Sequence, residues 1–267
     1  MSPHPSLIAA IGDVHGAAGL LSTLLQGLDT VAESRKTPME IIFLGDIVDR
    51  GPASRGALDL VVEAIATHPN SRLLIGNHDW WLLQFLKGEL DRDAIDNWLD
   101  QGGAATLASY GAATERDLDA IRRRILRDRP EHLELLSDAA TIAVDGSFAF
   151  VHAGIDPRRP IDRQDAHDCL WIRAPFLDHI GRLSHVVVHG HQPQKGGRPV
   201  VTENRISMDT GAVFTGRLSA VVIDRNSEQL EFFAATGAGG FAAVEPVRLD
   251  RGLGTVLDAP EPAADRF

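Results

Sequence analysis

Three segments decide the fold of this 267-residue chain: LIAAIGDVHG (7–16), MEIIFLGDIVDRG (39–51) and SRLLIGNHD (71–79). Each begins with a continuous apolar run, which is typical of a strand buried on both faces. Helical runs follow the three strands, at 19–34, 54–68 and 80–88. Strands and helices therefore alternate, which predicts β-α-β units in an α/β fold with helices on both faces of the sheet.

The second half of the chain is richer in strands. Apolar runs predict strands at 140–146, 147–154, 185–191, 205–211, 218–225 and 229–235. Residues 89–139 are charged, mostly helical and interrupted by glycines, so they are interpreted as a helical insert beside the sheet. We expect a single domain over residues 1–250. The polar, proline-containing residues 251–267 predict a flexible C-terminal tail.

Composition excludes several classes of function. The chain has 26 Lys and Arg against 37 Asp and Glu, a net charge of −11, which argues against a nucleic-acid partner. A single cysteine, Cys169, excludes a disulfide framework and a cysteine-rich zinc or iron–sulfur site. No apolar run approaches the ~20 residues of a membrane span. The N-terminal residues lack a basic start, so we expect no signal peptide, no membrane partner and a cytoplasmic protein.

Five polar clusters fall at the ends of predicted strands. They are GDVHG (12–16), GDIVDRG (45–51), GNHD (76–79), VHAG (151–154) and VHGH (188–191). Functional groups collect at the carboxyl ends of the strands in such sheets. The clusters offer carboxylate, amide and imidazole ligands but no thiolate. This donor set predicts an open site for Mn²⁺, Fe or Zn²⁺.

The spacing within the first clusters has a physical logic. Asp13 and His15 are two residues apart, so in an extended segment both side chains point the same way and can hold one metal ion. Asp46 ends the neighbouring strand and could bridge that ion to a second one. A pair of ions ~3.5–4 Å apart clamps the attacking and leaving oxygens of a phosphoryl transfer.

The later clusters would complete a binuclear site. Asn77 and His78 are adjacent, so we expect their side chains to point in opposite directions, one to a metal ion and the other to the substrate. His152 and His191 come from the second half of the chain and would complete the second metal site. Water bound to such a centre has a pKa of about 7, so hydroxide is available at neutral pH.

These motifs, in this order, resemble those of the phosphoprotein phosphatase family, a branch of the calcineurin-like metallophosphoesterases. The resemblance covers most of residues 7–224. Further segments resemble the bacterial branch of that family: LWIR (170–173), HGHQP (189–193), DTGA (209–212), GRLSAVVI (216–223) and GGAATLASYG (102–111). The resemblance implies an α/β/β/α sandwich of mixed sheets covered by helices.

The resemblance also implies a role for each site residue. Asp13, His15 and Asp46 are similar to the ligands of the first metal ion. Asp46, Asn77, His152 and His191 are similar to those of the second. His78 resembles the general acid, oriented by Asp49, and Arg50 and Arg173 resemble the phosphate-binding arginines. The implied activity is hydrolysis of phosphoserine and phosphothreonine, with phosphotyrosine left open, by hydroxide on two divalent ions. Mn²⁺ is expected first, with Fe or Zn²⁺ as alternatives.

The chain departs from the family pattern at two positions. Ile75 stands where the family often has arginine, and Asp79 replaces the usual glutamate. GNHD and HAGI also occur in the related symmetrical diadenosine tetraphosphate hydrolases, which often lack the second aspartate of GDxVDRG. Asp49 is present here and favours a phosphoprotein phosphatase. A diadenosine tetraphosphate hydrolase, or another small-phosphoester hydrolase, is the alternative.

A few neighbouring residues have plainer interpretations. His189 is expected to support the site or the fold, because His191 matches the family ligand. Asp209 is expected to stabilise a turn. The tryptophans, including Trp80, Trp98 and Trp171, are expected to contribute mainly to packing.

Overall fold

A computed structural model describes residues 5–112, 117–250 and 255–257 of the chain. Two mixed β-sheets pack against each other and helices cover their outer faces, which confirms the predicted α/β/β/α sandwich. Among the described residues, no helix combines the length and the apolar character that crossing a bilayer requires.

The first sheet has six strands in the order β11-β10-β9-β1-β2-β3. Its strands are β1 (Leu7–Ile11), β2 (Met39–Phe43), β3 (Arg72–Leu73), β9 (Arg217–Asp224), β10 (Leu230–Thr236) and β11 (Phe241–Ala243). β1, β2 and β3 are parallel, as the β-α-β pattern predicts, whereas β9 runs antiparallel to β1. The carboxyl ends of the three parallel strands therefore meet at one edge.

The second sheet has seven strands in the order β13-β12-β7-β8-β6-β5-β4. Its strands are β4 (Ile142–Asp145), β5 (Phe148–Val151), β6 (Val186–His189), β7 (Val200–Val201), β8 (Arg205–Ser207), β12 (Val247–Asp250) and β13 (Thr255–Leu257). β5, β6 and β8 are parallel neighbours, so the residues that follow β5 and β6 also come together. β13 lies within the predicted tail, and residues 251–254 and 258–267 are outside the described residues.

The core lies in layers that follow the alternation of side chains along the strands. Ile8 and Ile42 of the first sheet pack against Phe150, Val188 and Ile206 of the second. The alternate side chains of β1 and β2 point outward to the helices instead. Both faces of the central strands are therefore buried, which explains why their sequences are continuously apolar.

Ten α-helices are described. They are α1 (Ala18–Arg35), α2 (Ser54–Thr67), α3 (Asn77–Lys87), α4 (Arg92–Trp98), α5 (Ala104–Ser109), α6 (Leu118–Asp128), α7 (Pro130–Asp138), α8 (Ala166–Trp171), α9 (Ala174–Leu177) and α10 (Ala212–Thr215). α4 to α7 form the region predicted as a helical insert. A wide π-type turn over Leu99–Gly103 joins α4 to α5.

One local prediction was wrong at the end of the third strand. β3 has only two residues, and the following helix begins at Asn77 instead of Trp80. The Asp79 carboxylate accepts a hydrogen bond from the backbone N–H of Gly76 at 3.1 Å, which ties the helix start to that glycine. Asn77 and His78 therefore lie in the first turn of a helix, where successive side chains diverge by about 100°.

Candidate active site

All ten residues predicted for the site lie together where the parallel strands of both sheets end. Hydrogen bonds and ion-pair contacts connect them into one network, which comprises Asp13, His15, Asp46, Asp49, Arg50, Asn77, His78, His152, Arg173 and His191. Nine of these ten follow strands or begin α3, and Arg173 follows α8. Their roles as ligands or catalytic groups stay predictions.

One group of potential ligand atoms joins Asp46, His152 and His191, with all three atoms within 4.8 Å of one another. Asn77 completes this group, because its Oδ1 lies 2.9 Å from Nε2 of His152 and 2.9 Å from Nδ1 of His191. His152 donates from Nδ1 to the carbonyl oxygen of Leu44 at 2.8 Å, so its Nε2 faces the group. These are the four residues predicted for the second metal ion.

A second group joins His15, Asp46 and His78. His15 donates from Nδ1 to the carbonyl oxygen of Val48 at 2.9 Å, which leaves the lone pair of Nε2 directed into the site. That Nε2 lies 3.6 Å from Oδ2 of Asp46, whereas Nε2 of His152 lies 3.4 Å from Oδ1. The Asp46 carboxylate therefore faces both groups, one oxygen to each, as a bridging ligand would.

The donor set fits divalent cations. Nε2 of His152 faces two oxygens, from Asn77 and Asp46, although its other nitrogen already donates to Leu44. Such convergence of acceptors calls for a proton or a cation between them. Burial lowers the pKa of His152, but the carboxylates of Asp46 and Asp13 outweigh it and raise that pKa to about 10. The same negative potential favours a metal ion, and nitrogen and oxygen ligands suit Mn²⁺, Fe or Zn²⁺.

Asp13 lies beside these groups but belongs to neither of them. Its two carboxylate oxygens accept the backbone N–H of His191, at 3.0 and 3.1 Å. Burial and the nearby carboxylate of Asp209 raise the pKa of Asp13 well above its usual range. The assignment of Asp13 as a ligand of the first ion stays a prediction.

The prediction that the segment from Asp13 to His15 is extended was wrong. The backbone N–H groups of Val14 and His15 both donate to the carbonyl oxygen of Asp46, at 3.0 and 2.9 Å. These two hydrogen bonds to one carbonyl fold the segment into a turn, and His15 has a φ of 47°. His15 reaches Asp46 through this turn and not through the alternation of a strand.

Left-handed backbone conformations concentrate in the site. Among the described residues, eight that are not glycine have positive φ. Five of these eight are predicted site residues: His15, Asp46, Asp49, Arg50 and His191. Such conformations cost on the order of 1–3 kcal/mol each and persist where surrounding structure holds them. The loops that carry the site are therefore fixed by their surroundings.

The pair of His78 and Asp49 is rigidly held. His78 donates from Nδ1 to Oδ2 of Asp49 at 2.7 Å. Burial lowers the pKa of His78, but the carboxylates of Asp46 and Asp49 outweigh burial and raise it. Two residues of the insert also bind Asp49: the indole of Trp98 donates to Oδ2 at 2.9 Å, and the hydroxyl of Thr106 donates to Oδ1 at 2.6 Å.

The sequence analysis missed Trp98 and Thr106 as supports of the site. Trp98 was expected to contribute to packing, and it is fully buried. Its indole N–H also donates a hydrogen bond to Asp49. Thr106 lies in the segment GGAATLASYG, whose resemblance to the family implies no role for this residue. Nothing local in the sequence connects either residue with Asp49, which is 49 and 57 positions away.

The two predicted phosphate-binding arginines lie at the exposed rim of the site. Arg50 donates to Nε2 of His15 at 2.6 Å and to Nε2 of His78 at 2.8 Å. Arg173 donates to Nε2 of His191 at 3.3 Å. Guanidinium groups carry a planar array of donors that matches phosphate oxygens. Two of them beside buried carboxylates give the rim of this acidic protein a local positive charge.

Two further buried residues, His189 and Asp209, lie beside the site. His189 is buried and bonds to Ser207 at 2.8 Å, and it belongs to neither group of ligand atoms. Asp209 accepts the backbone N–H of Gly211 at 2.9 Å, as a turn-stabilising aspartate would. Burial and Asp46 raise the pKa of Asp209 to about 6, so this carboxyl group also contributes to the electrostatics of the site.

A third group of potential ligand atoms lies away from this site and was not predicted. It joins Asp59, Glu131 and His132. Arg129 lies 3.3 Å from Asp59 and 3.8 Å from Glu131, so both carboxylates already face a cation of the chain. The group is best described as an ion-pair cluster between α2 and α7.

Comparison with known proteins identifies the family of this chain. The sequence profile of the calcineurin-like phosphoesterases matches residues 6–206. The symmetrical bis(5'-nucleosyl)-tetraphosphatase of Janthinobacterium sp. is 34% identical, covering 94% of this chain and 76% of the relative. The asymmetrical bis(5'-nucleosyl)-tetraphosphatase PrpE of Anoxybacillus flavithermus is 27% identical over 79% of this chain and 88% of the relative.

A solved structure supports the fold alone. The protein serine/threonine phosphatase from Saccharomyces cerevisiae superposes with a TM-score of 0.53 at 12% identity, covering 92% of this chain and 83% of that one. The profile match spans most of the chain and includes the residues of both ligand groups. The chain therefore belongs to the calcineurin-like phosphoesterase family.

Proposed function

We propose that this chain hydrolyses dinucleoside tetraphosphates at a centre of two divalent metal ions. The observation that carries the chemistry is the Asp46 carboxylate, which faces two groups of ligand atoms at once. The substrate class rests on the relatives, two of which are named bis(5'-nucleosyl)-tetraphosphatases. The protein phosphatase reading of the motifs becomes the second candidate.

The residues that would hold the ions are those of the two groups. His15 and Asp46, with Asp13 beside them, would hold the first ion, and Asp46, Asn77, His152 and His191 the second. When bound, divalent ions supply Lewis acidity, which polarises phosphate oxygens and lowers the pKa of water to about 7. Mn²⁺ is our first expectation for both positions.

The side chains of the rim would bind and orient the polyphosphate. Arg50 lies next to the first predicted metal site, where it contacts His15. Arg173 lies next to the second, where it contacts His191. Each guanidinium group can donate hydrogen bonds from its planar set of N–H groups to phosphate oxygens. The charge on four linked phosphates matches this arrangement of ions and arginines better than a neutral substrate would.

His78 would manage the proton of the leaving group. Its ring is fixed by Asp49, and its pKa is raised, so Nε2 would carry the proton for the leaving group once it is protonated in place of accepting from Arg50. A phosphoanhydride releases a phosphate, which is a weak base and leaves with little help. A serine alkoxide is a strong base and needs a proton donor. The intact Asp49–His78 pair is therefore the specific observation that favours the second candidate, a phosphoserine and phosphothreonine phosphatase.

Product analysis tests the proposal. Purified protein with Mn²⁺ is incubated with diadenosine tetraphosphate, and in parallel with a phosphoserine peptide. We expect hydrolysis of the dinucleotide, with two ADP for a symmetrical cut or ATP and AMP for an asymmetrical one. A chelator should stop the reaction and Mn²⁺ should restore it. Turnover of the peptide alone would replace the proposal with the second candidate. The cytoplasmic location and the absence of nucleic-acid partners stay predictions.

A further inference from the structure

An uncharged groove lies beside the charged site. It has a volume of about 370 Å³ and is bounded by α3, α7 and α8. Its eleven lining residues include no Asp, Glu, Lys or Arg. The aromatic side chains on its walls are Trp80, Trp171 and His167, and Ile75 contributes to its apolar lining.

Two residues that line the groove lie close in the chain to residues of the active site. Ile75 lines the groove and is followed by Gly76, whose backbone packs against Asp46 so closely that a Cβ there would lie 2.2 Å from Oδ1. Trp171 also lines the groove and precedes Arg173, which bonds to His191, by two residues. Two residues span at most about 7 Å. The backbone on two sides of the groove therefore continues within about 7 Å to residues that contact the centre.

The aromatic walls offer flat surfaces to a ligand. Trp171 and His167 are stacked, with ring centroids 6.4 Å apart and an interplanar angle of 29°. Trp80 is partly exposed and held edge-on by Trp81, with centroids 5.3 Å apart. Indole and imidazole rings bind nucleobases by stacking, which tolerates different bases because every base has a π-face.

Ile75 gives the groove its apolar character at the point nearest the ligands. A basic side chain at this position would place a cation in the lining of the groove. Isoleucine instead extends the apolar lining to the residue next to Gly76, and Ile75 is only 6% exposed. A neutral, flat group fits such a lining, whereas a phosphate does not.

The geometry points to this groove as the subsite for one nucleobase of the dinucleoside tetraphosphate, with Trp171 as its main stacking surface. The inference rests on the proposed function and adds to it the residues that recognise the nucleoside. The phosphate chain lies on the arginines and the metal centre, and the ribose spans the short distance to the groove. The second nucleoside lies outside this groove.

Binding of AMP and ribose 5-phosphate, measured by calorimetry with Mn²⁺ present, tests the inference without turnover. Both ligands carry the phosphate and the ribose, and only AMP carries the base. We expect AMP to bind roughly 5- to 100-fold more tightly, the range given by the loss of one base–aromatic stack. In Trp171→Ala this advantage should fall to within about threefold, whereas Trp171→Phe should keep most of it. His167→Ala should have an intermediate effect.

The matched control is Phe214→Ala. Phe214 is an exposed aromatic residue outside the groove, with 73% of its surface accessible, and its loss should leave the AMP advantage unchanged. Thermal melting verifies that each variant is folded. His167 is exposed, so His167→Ala decides the question if Trp171→Ala fails to fold.

The outcomes separate the two proposals. Equal binding of AMP and ribose 5-phosphate overturns the groove as a base subsite, even if diadenosine tetraphosphate is hydrolysed. An AMP advantage that survives in both Trp171→Ala and His167→Ala overturns it as well. An AMP advantage that depends on Trp171, in a protein that does not hydrolyse the dinucleotide, supports the subsite and overturns the proposed substrate.

Discussion

Eight of the ten residues of the active site form two halves that are held in different ways, and His15 and Arg173 lie outside both. The sheet-edge half comprises Asp13, Asp46, Asn77, His152 and His191. Its side chains are fixed by the backbone of the sheets and their loops: His152 donates to the carbonyl of Leu44, and Asp13 accepts the N–H of His191. The insert-braced half comprises Asp49, Arg50 and His78, and side chains of the helical insert support it.

Hydrogen bonds from the insert support the second half. Trp98 and Thr106 bind the two oxygens of Asp49, and the backbone N–H of Arg50 donates to the carbonyl of Gly102 at 3.2 Å. Gly102 has a φ of 119°, and a Cβ there would lie 2.7 Å from the nitrogen of Arg50. Only glycine can make this approach. Because the two halves have different supports, we expect that metal binding and proton delivery can be altered separately.

The strongest test of the sheet-edge half is Asp46→Asn. The amide offers a neutral oxygen where a carboxylate faces both ligand groups, so both metal sites should weaken together. We expect no measurable hydrolysis and a large loss of bound metal in elemental analysis. A variant that keeps two metal ions per chain and normal activity would contradict the shared role of Asp46.

The insert-braced half is tested by His78→Ala. Removing a positioned proton donor typically costs about 10²- to 10⁴-fold. We expect a loss of that size for a phosphoserine peptide and a smaller loss for diadenosine tetraphosphate, whose leaving phosphate needs little protonation. Kinetics with both substrates measure the ratio.

Metal analysis of the same variant decides which half His78 belongs to. His78 shares a group of ligand atoms with His15 and Asp46, so the prediction is that metal content stays unchanged. Loss of metal would instead assign His78 to the ligands. His185→Ala, at a histidine outside both groups, is the control.

The two halves also differ in how well the sequence predicts them. The short β-α-β units place Asp46 and Asn77 at neighbouring strand ends, so their meeting follows from the strand pattern alone. His152 and His191 follow β5 and β6, which are parallel neighbours, and the same rule applies. Nine of the ten predicted site residues meet because they follow strands or begin α3, and the apolar runs indicate those strands, whereas Arg173 follows α8.

The details that the sequence could not predict depend on long-range contacts. The turn at His15 exists because two N–H groups reach the carbonyl of Asp46, 31 positions away. The early start of α3 depends on Asp79 and on its bonds to Gly76 and to the N–H of Ile47. The sequence around Trp98 does not distinguish it from an ordinary core tryptophan, and only the folded insert brings its indole to Asp49.

A smaller effect is expected for Thr106→Val, which keeps the shape of the side chain and removes its hydroxyl. The hydroxyl donates to the Asp49 carboxylate and accepts the N–H of Asp49 at 2.9 Å. Hydrogen bonds to charged groups contribute about 1.5–3 kcal/mol, so kcat should fall by at most roughly 10- to 150-fold.

The control for this prediction is Thr106→Ser, which restores the hydroxyl and should restore most of the activity. Metal content should stay unchanged in both variants, because the hydroxyl of Thr106 bonds to Asp49 and to Ser54 of α2 and not to the sheet-edge half. A loss of metal in Thr106→Val, with none in Thr106→Ser, would show that the two halves are not separable.

The smallest effect concerns the attachment of the insert to α2. The hydroxyl of Tyr110, just after α5, lies 2.7 Å from Nδ1 of His132, whose Nε2 lies 3.1 Å from Asp59. A neutral His132 satisfies both contacts, accepting from Tyr110 and donating to Asp59. Burial lowers the pKa of His132, and the nearby carboxylates of Asp59 and Glu131 only partly offset it.

This shift gives a stability that depends on pH. The folded state keeps His132 neutral, whereas the unfolded chain protonates it below about pH 6.5. The unfolded state therefore binds more protons, and the contribution of His132 is complete above that pH and is lost as the pH falls. His132→Gln removes the titration, so the difference in melting temperature between wild type and variant should shrink as the pH is lowered from 8 to 5. Other buried histidines titrate in both proteins and cancel from this difference. A difference that grows towards low pH would show that His132 is charged in the folded protein, held by Asp59 as an ion pair.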